Sequence, residues 1–410
     1  MSDSNCRFCG QELKYTFVDL GLSPLSNSYI GKDKMDNGQT FYPLHTYVCD
    51  KCFLVQLKEY ESPKEIFSDY AYFSSYSASW LNHAKEYVNT MINRFNLQEN
   101  NTVVEIASND GYLLQYFQEK KIKNYGIDPA ENVAEVAKQK GIKTVCDFFG
   151  ERLADRLANE GEKADLLLGN NVLAHVPNIN DFVKGLNILI KDDGVITMEF
   201  PHLLNLIDKN QFDTIYHEHF SYLSLITVKE IFESHGLRIF DVQELNTHGG
   251  SLRIFACKND CNKYKQEKNV EILINKEIEF GLDNIKTYLY FAEKVRKIKY
   301  DLLSLLIELK NEGKKIVGYG APAKGNTLLN YCGIKNEFLD YTVDKSPYKQ
   351  GLYLPGTQIA ILKPEEIYIT KPDYILILPW NLKDEIIEQL KEVRKWNAKF
   401  ILPIPKVEVI

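Results

Sequence analysis

Apolar positions along the chain fall into two recurring patterns. Short β-branched runs alternate with stretches in which apolar residues recur every three or four positions. Val103 and Val104 open the clearest example, a buried strand. Glu105, two small residues, Asn109, Asp110 and Gly111 follow. The chain then turns amphipathic, with Tyr112, Leu113, Tyr116 and Phe117 at helical spacing. This predicts strand, tight loop, helix. Further strands are expected at 125–128, 144–146, 165–169 and 194–200, with a helix over 131–140. The stretches 238–245 and 251–257, separated by Thr247, His248, Gly249 and Gly250, predict a closing hairpin. From 259 to 312 the pattern is helical. It runs through Val270, Ile274, Ile278 and Ile285, then Phe291, Val295, Ile298, Leu302, Leu305 and Leu309, and ends at Gly313. From 314 a second strand–glycine loop–helix begins, with later strands at 338–344, 374–378 and 399–402. The expected class is α/β.

The first loop carries acids at two telling places. Glu105 lies beside it, and Asp128 ends the next strand, where an acid takes ribose hydroxyls. One glycine stands where a dinucleotide loop needs three, and Glu105 would repel phosphate but suit a cationic or zwitterionic ligand. This combination resembles the S-adenosylmethionine site of class I methyltransferases. The resemblance implies donor contacts from Glu105, Ser108, Asn109, Gly111, Asp128 and Asn170. It also implies adenine contacts from Asp147 and Phe148.

Residues 1–66 read as a separate module. Cys6 and Cys9 form one CxxC and Cys49 and Cys52 another, enough for a closed, structural zinc site. Their separation exceeds that of an ordinary ribbon, so the Gly-, Pro-, Ser- and Asn-containing residues between them are expected to form an excursion. His45 is surplus to the ligand set. Residues 67–95 begin with an aromatic and serine cluster, Tyr70, Tyr72, Tyr76 and Trp80, expected mainly as a packing seam, and continue as a helix.

Composition narrows the classes. The chain has 410 residues, 44% hydrophobic and 26% charged, which suits two or three globular domains. A net charge of -7 without a basic stripe speaks against nucleic-acid binding. No apolar run reaches the ~18 residues of a membrane helix. The start, MSDSNCRFCG, lacks a signal-peptide core, and the cysteine pattern fits a reducing compartment, so a cytoplasmic location is expected.

The densest chemistry is IYHEHF at 215–220, with two imidazoles, a carboxylate and a phenol. It is not the HExxH of zinc proteases. A carboxylate that orients a histidine makes a good general base, and either His217 or His219 fits that part. His175, after the fourth strand, is a second pocket candidate. In the C-terminal region, GYGAPAKGN and the lysines after the 338–344 strand suit a diphosphate. Lys324, Asn326, Lys345 and Lys349 are the residues expected to hold it.

Taken in order, the paired CxxC module, EIASNDG, NNVLAHV, YHEHF, HGGSLR and GYGAPAKGN resemble zinc-containing, S-adenosylmethionine-dependent C-methyltransferases of nucleotide-linked keto-deoxysugars. The resemblance spans nearly the whole chain. It implies a zinc-binding module (1–66), a class I methyltransferase domain (67–258), and a helical connector with a Rossmann-like substrate domain (259–410). It implies a nucleotide-diphosphate 4-keto-deoxysugar as substrate, methylated at carbon 3 or carbon 5. It implies His219 as base, with Tyr216, Glu218, His175 and Tyr70 around the sugar. An O- or N-methyltransferase of a nucleotide sugar is the competing reading. Oligomeric state is left open.

Overall fold

The computed structural model describes residues 5–62, 65–66, 74–76 and 78–410. Tyr70 and Tyr72 lie outside the described residues. The chain forms two compact units that interleave along the sequence. One comprises 1–13, 49–202 and 220–283; the other comprises 14–48, 203–219 and 284–410. The stretch between the two CxxC pairs, Lys14–Val48, belongs to the second unit. So does Leu203–His219, which carries most of the IYHEHF cluster.

The first unit is built on a seven-stranded sheet. Its order is Leu237–Leu245, Ser251–Lys258, Ile190–Pro201, Ala164–Asn170, Thr102–Ile106, Lys123–Ile127 and Thr144–Val145. Ser251–Lys258 runs antiparallel to both neighbours, and the other pairings are parallel. That is the class I methyltransferase order, with the hairpin at one edge. Thr102–Ile106 is buried along its whole length because helices cover both faces of the sheet. Glu131–Gln139 buries Val133, Ala134 and Ala137, and Glu151–Asn159 buries Leu153, Ala154 and Leu157. Ile179–Leu189 starts at Asn178, whose side chain accepts the Asp181 amide.

The second unit holds a six-stranded sheet, ordered Ile361–Leu362, Thr342–Val343, Ile316–Tyr319, Tyr374–Ile377, Lys399–Leu402 and Glu408–Val409. Five strands are parallel, and the last pairs antiparallel at the edge. In sequence order this is 3-2-1-4-5-6, the Rossmann arrangement. The strand expected over 338–344 shrinks to Thr342–Val343; Phe338 and Leu339 are in a turn that donates to the Lys335 carbonyl. The antiparallel pair Tyr15–Ser23 and Tyr42–Val48 belongs here too. Its Phe17 stacks on Phe291 at 4.6 Å and meets Tyr288 edge-on at 6.2 Å.

The helical stretch needs two corrections. It is three helices, Lys268–Phe280, Ile285–Leu289 and Phe291–Asn311, the first capped by Gly281 in the left-handed region. In the last helix Leu306, not Leu305, takes the core position after Leu302. In the first, Val270, Leu273 and Glu277 face inward while Ile278 is exposed. Glu277 holds that core position because its carboxylate has partners. It accepts the Leu225 and Ile226 amides at 2.6 and 2.8 Å and pairs with His202 at 2.7 Å.

Candidate functional site

In the first unit, the loop after Thr102–Ile106 gathers a cluster of buried acids, Glu105, Asp110 and Asp128. Ala107, Asn109 and Gly111 all have positive φ. Gly111 is required twice over. Its φ is +76°, and an added Cβ would lie 3.0 Å from Ile142 Cγ1. Asp128 uses both carboxylate oxygens on backbone, accepting Asn109 N–H at 2.8 Å and Ala130 N–H at 2.9 Å. Burial still pushes its pKa up to about 6. Glu105 is fully buried. Burial, and then Asp128, push its carboxyl well above the usual range, with the Tyr112 phenol opposing. Ser108 Oγ and one oxygen of Asp110 are buried without a hydrogen-bond partner among the described residues. Lys140 neutralises the other oxygen at 3.0 Å. Asn109 accepts the Ser74 amide. Asn170 ends its strand, buried.

Surplus buried acid favours a cation, so this cluster fits the sulfonium and ammonium of S-adenosylmethionine. Phe148 is 41% exposed, and Asp147 pairs with Arg152 at 2.9 Å while accepting the Phe148 amide. His175 ends the short turn Leu173–His175, half-buried.

Sequence reasoning missed a polar cluster next to this loop. Glu199, buried in the fifth strand, accepts from His83 at 3.0 Å, Arg253 at 2.7 Å and Thr247 at 2.9 Å. Burial opposes its charge, yet His83 and Arg253 hold its pKa down to about 2. Trp80 stacks on His83 at 4.9 Å. These residues are scattered in sequence, and no local motif joins them.

The four cysteines of the paired CxxC gather as expected. Their sulfurs all lie within 4.8 Å of one another, with Cys6–Cys52 at 3.6 Å and Cys9–Cys49 at 3.5 Å. Sulfurs about 3.8 Å apart are what four bonds of about 2.3 Å to a tetrahedral zinc produce, so the donor set fits the ion. Gln56 donates to Cys6 Sγ at 3.2 Å, and the Lys51 amide to Cys49 Sγ at 3.4 Å. His45 is engaged elsewhere, with Thr16 at 2.8 Å.

In the second unit, Tyr216–His219 forms a tight turn closed by His219 N–H on the Tyr216 carbonyl. His219 Nδ1 lies 2.8 Å from the Thr214 carbonyl. A carbonyl only accepts, so Nδ1 carries the proton and the neutral ring has its lone pair on Nε2. The Tyr216 ring packs against the imidazole, centroids 4.0 Å apart. Glu218 does not orient this ring. It is 5% exposed and accepts instead from Asn27 at 2.6 Å. Burial pushes its pKa up to about 7, with Asn27 opposing. His217 is buried against Tyr42 and the Pro43 carbonyl, and burial lowers its pKa to about 4.

The glycine loop of this unit lies close in the same network. Gly320 has φ +89°, and a Cβ there would meet Pro379 Cδ at 2.5 Å. Tyr29 O–H donates to the Ala321 carbonyl at 2.6 Å, and Lys349 Nζ reaches that same carbonyl at 2.8 Å. Lys349 also lies over the Tyr29 ring, 5.2 Å from its centroid. Lys324 turns its ammonium onto Asn381 Oδ1 and the Trp380 face, 4.7 Å from the ring centroid. Asn326 is buried and donates to the Ser26 carbonyl at 2.6 Å. Lys345 is exposed, 4.0 Å from Glu385. Asn27 and Tyr29 had no signal in the sequence beyond their place in the excursion. Asp344 had one, an acid at the end of a second βαβ strand.

Comparison with known proteins places these features. Residues 6–67 match a zinc binding domain, 80–242 a methyltransferase domain, and 246–405 a C-methyltransferase C-terminal domain. C-methyltransferase NovU of Streptomyces niveus is 35% identical over 405 residues, covering 99% of this chain and 96% of the relative. Ubiquinone biosynthesis O-methyltransferase of Bartonella quintana (strain Toulouse) is 28% identical over 99 residues, covering 24% of this chain and 40% of its own. Among solved structures, magnesium protoporphyrin IX methyltransferase of Synechocystis PCC 6803 is 16% identical over 44% of this chain and 79% of its own, at a TM-score of 0.34.

Proposed function

The chain belongs to the zinc-containing, S-adenosylmethionine-dependent C-methyltransferases, and from that premise we propose that it methylates a carbon next to the ketone of a nucleotide-diphosphate-linked 4-keto-deoxysugar. A sugar carbon is a nucleophile only as an enolate, so such an enzyme needs a base and a group to hold the enolate oxygen. His219 takes the proton through Nε2. The observation that carries this reading is its Nδ1 proton on the Thr214 carbonyl, which leaves the basic nitrogen on the other side of the ring. The rival, His217, is disfavoured by its packing and depressed pKa. Tyr216 or His175 donates to the enolate oxygen. Glu218, with a pKa near 7, and Tyr70 complete the polar surroundings of the sugar. The donor supplies an electrophilic methyl, which the enolate carbon takes as the carbon–sulfur bond breaks and S-adenosylhomocysteine leaves.

Glu105, Ser108, Asn109, Gly111, Asp128 and Asn170 hold the donor, with Asp147 and Phe148 at the adenine. Residues 1–66, 67–258 and 259–410 serve as zinc module, methyltransferase domain, and connector with substrate domain. Lys324, Asn326, Lys345 and Lys349 are assigned to the substrate side. Of these, Lys349 has the strongest support, because its ammonium lies at the glycine loop.

The test incubates the enzyme and a panel of 4-keto nucleotide sugars in deuterium oxide, with S-adenosylhomocysteine replacing the donor. Wild type should wash deuterium into the carbon that is methylated when the donor is present, as read by mass spectrometry and NMR. His219→Asn should lose both exchange and turnover while still binding both ligands. Near-normal turnover in that variant would overturn the assignment.

A further inference from the structure

Asp213 is a charge in the wrong place for an ordinary turn. It sits in the short helix Phe212–Thr214, fully buried, one residue before the carbonyl that holds His219. Trp380 donates its indole N–H to Oδ2 at 2.6 Å. Burial pushes its pKa up to about 6 in spite of the nearby Lys324 ammonium and the Trp380 N–H. A carboxylate in such a place is costly unless hydrogen bonds and a counter-charge offset its desolvation.

The helix Ala323–Cys332 braces the same segment twice. Lys324, in its first turn, balances Asp213, and Thr327 donates to the Ile215 carbonyl at 2.9 Å. Asp213 and Ile215, on either side of Thr214, are therefore held by side chains far away in sequence. Of the other groups about Asp213, Cys332 on that helix is held neutral, its thiol pushed up to about 12 by burial. About His219 itself stand the Tyr216 ring and, next in the chain, Glu218.

We propose that Asp213 is a positioning residue for His219: its buried charge, held by Trp380 and balanced by Lys324, orders the Phe212–Thr214 turn so that the Thr214 carbonyl fixes the imidazole with its proton on Nδ1. Its importance for turnover rests on the reading of His219 as base, but its effect on the ring does not. Lys324 contacts Asn381 and the Trp380 face directly, and its charge reaches this carboxylate from there.

The test reads the ring directly. Histidine labelled with 15N in the full-length zinc-loaded protein is titrated by NMR, and His219 is assigned by the signal lost in His219→Asn. Wild type should show the Nδ1–H tautomer. Asp213→Asn keeps the shape and an acceptor for Trp380 but removes the charge. It should lower the His219 midpoint by roughly half a unit or more and admit the other tautomer. Trp380→Phe should move it the same way by less, because the carboxylate loses a donor that favours its charged form. An unmoved midpoint and tautomer in folded Asp213→Asn and Trp380→Phe would overturn the proposal. The deuterium exchange assay stands apart from this result: if wild type exchanges nothing but the titration shifts, it is the function of His219 that fails.

Discussion

Two loops in this molecule are built alike and differ in charge, the first carrying surplus acid and the second an acid balanced by a lysine. Each follows a buried parallel strand, and each leans on an acid that ends the next strand. In the first unit Asp128 accepts the Asn109 amide of its loop at 2.8 Å and the amide two residues on, Ala130, at 2.9 Å. In the second, Asp344 accepts the Ala321 amide at 2.7 Å and the Ser346 amide, again two on, at 2.8 Å. The backbone device is the same. What differs is its surroundings: Glu105 and Asp110 add buried acid to the first loop, whereas Lys349 stands against the second. The comparison teaches that a strand–loop–helix with a trailing acid does not choose its ligand; the added charges do.

The largest expected effects are structural and separate the two loops by their glycines. Gly320→Ala forces a Cβ into the ring of Pro379 at a left-handed φ and should cost about 3 kcal/mol or more. Gly111→Ala crowds the flexible Ile142 side chain and touches Ala137, and should cost about 1–2 kcal/mol. Denaturant unfolding measures both, and equal losses would erase the distinction. Next come the trailing acids. Asp128→Ala should weaken donor binding by roughly 1–3 kcal/mol, as for a lost charge-assisted hydrogen bond. Asp344→Ala should leave donor affinity unchanged by calorimetry, and a matching loss would mean that the donor is not confined to the first loop.

Proton linkage should sharpen the contrast. A cationic donor favours the ionised forms of Glu105 and Asp128, so binding should release protons near neutral pH, seen as a dependence of binding heat on buffer. In the free protein, Glu218 near 7 and Asp128 and Asp213 near 6 are raised above their unfolded values. The stability they contribute is complete below about pH 4 and is lost as pH rises through 6 and 7. His217, lowered to about 4, opposes this trend only below its ordinary value of about 6.5. Unfolding free energy should thus fall on the order of 1 kcal/mol from about pH 6.5 to 7.5. A rise over that interval would contradict the buried carboxyls. Smallest of all, Lys345→Ala should change stability by no more than about 0.5 kcal/mol, since its side chain is 61% exposed and its partner 4.0 Å away.

Much of this was legible in the sequence because it is local. The β-branched runs, the two glycine loops and the CxxC pairs depend on neighbours a few residues apart, and all seven strands of the first sheet fall where the apolar pattern puts them. Two classes of feature were not legible. Buried polar residues imitate surface ones: Glu277 falls outside the apolar series Val270, Ile274 and Ile278, yet it caps another helix and pairs with His202. Partners distant in the chain leave no local trace: the Glu218 carboxylate lies next to His219 in sequence but bonds Asn27, 191 positions away. Tyr70, expected at the sugar, lies outside the described residues.

The interleaving of the units has a consequence for how the chain is made. The polypeptide passes from one unit to the other at 13/14, 48/49, 202/203, 219/220 and 283/284. On a ribosome, Tyr15–Ser23 and Tyr42–Val48 emerge early, but Phe291, which stacks on Phe17, is synthesised hundreds of residues later. Closing loops of that length is entropically slow, and the waiting apolar strands are exposed meanwhile. Neither unit can be cut out as a contiguous fragment, so recombination would have to move this architecture nearly whole, and truncated forms should depend on chaperones or aggregate.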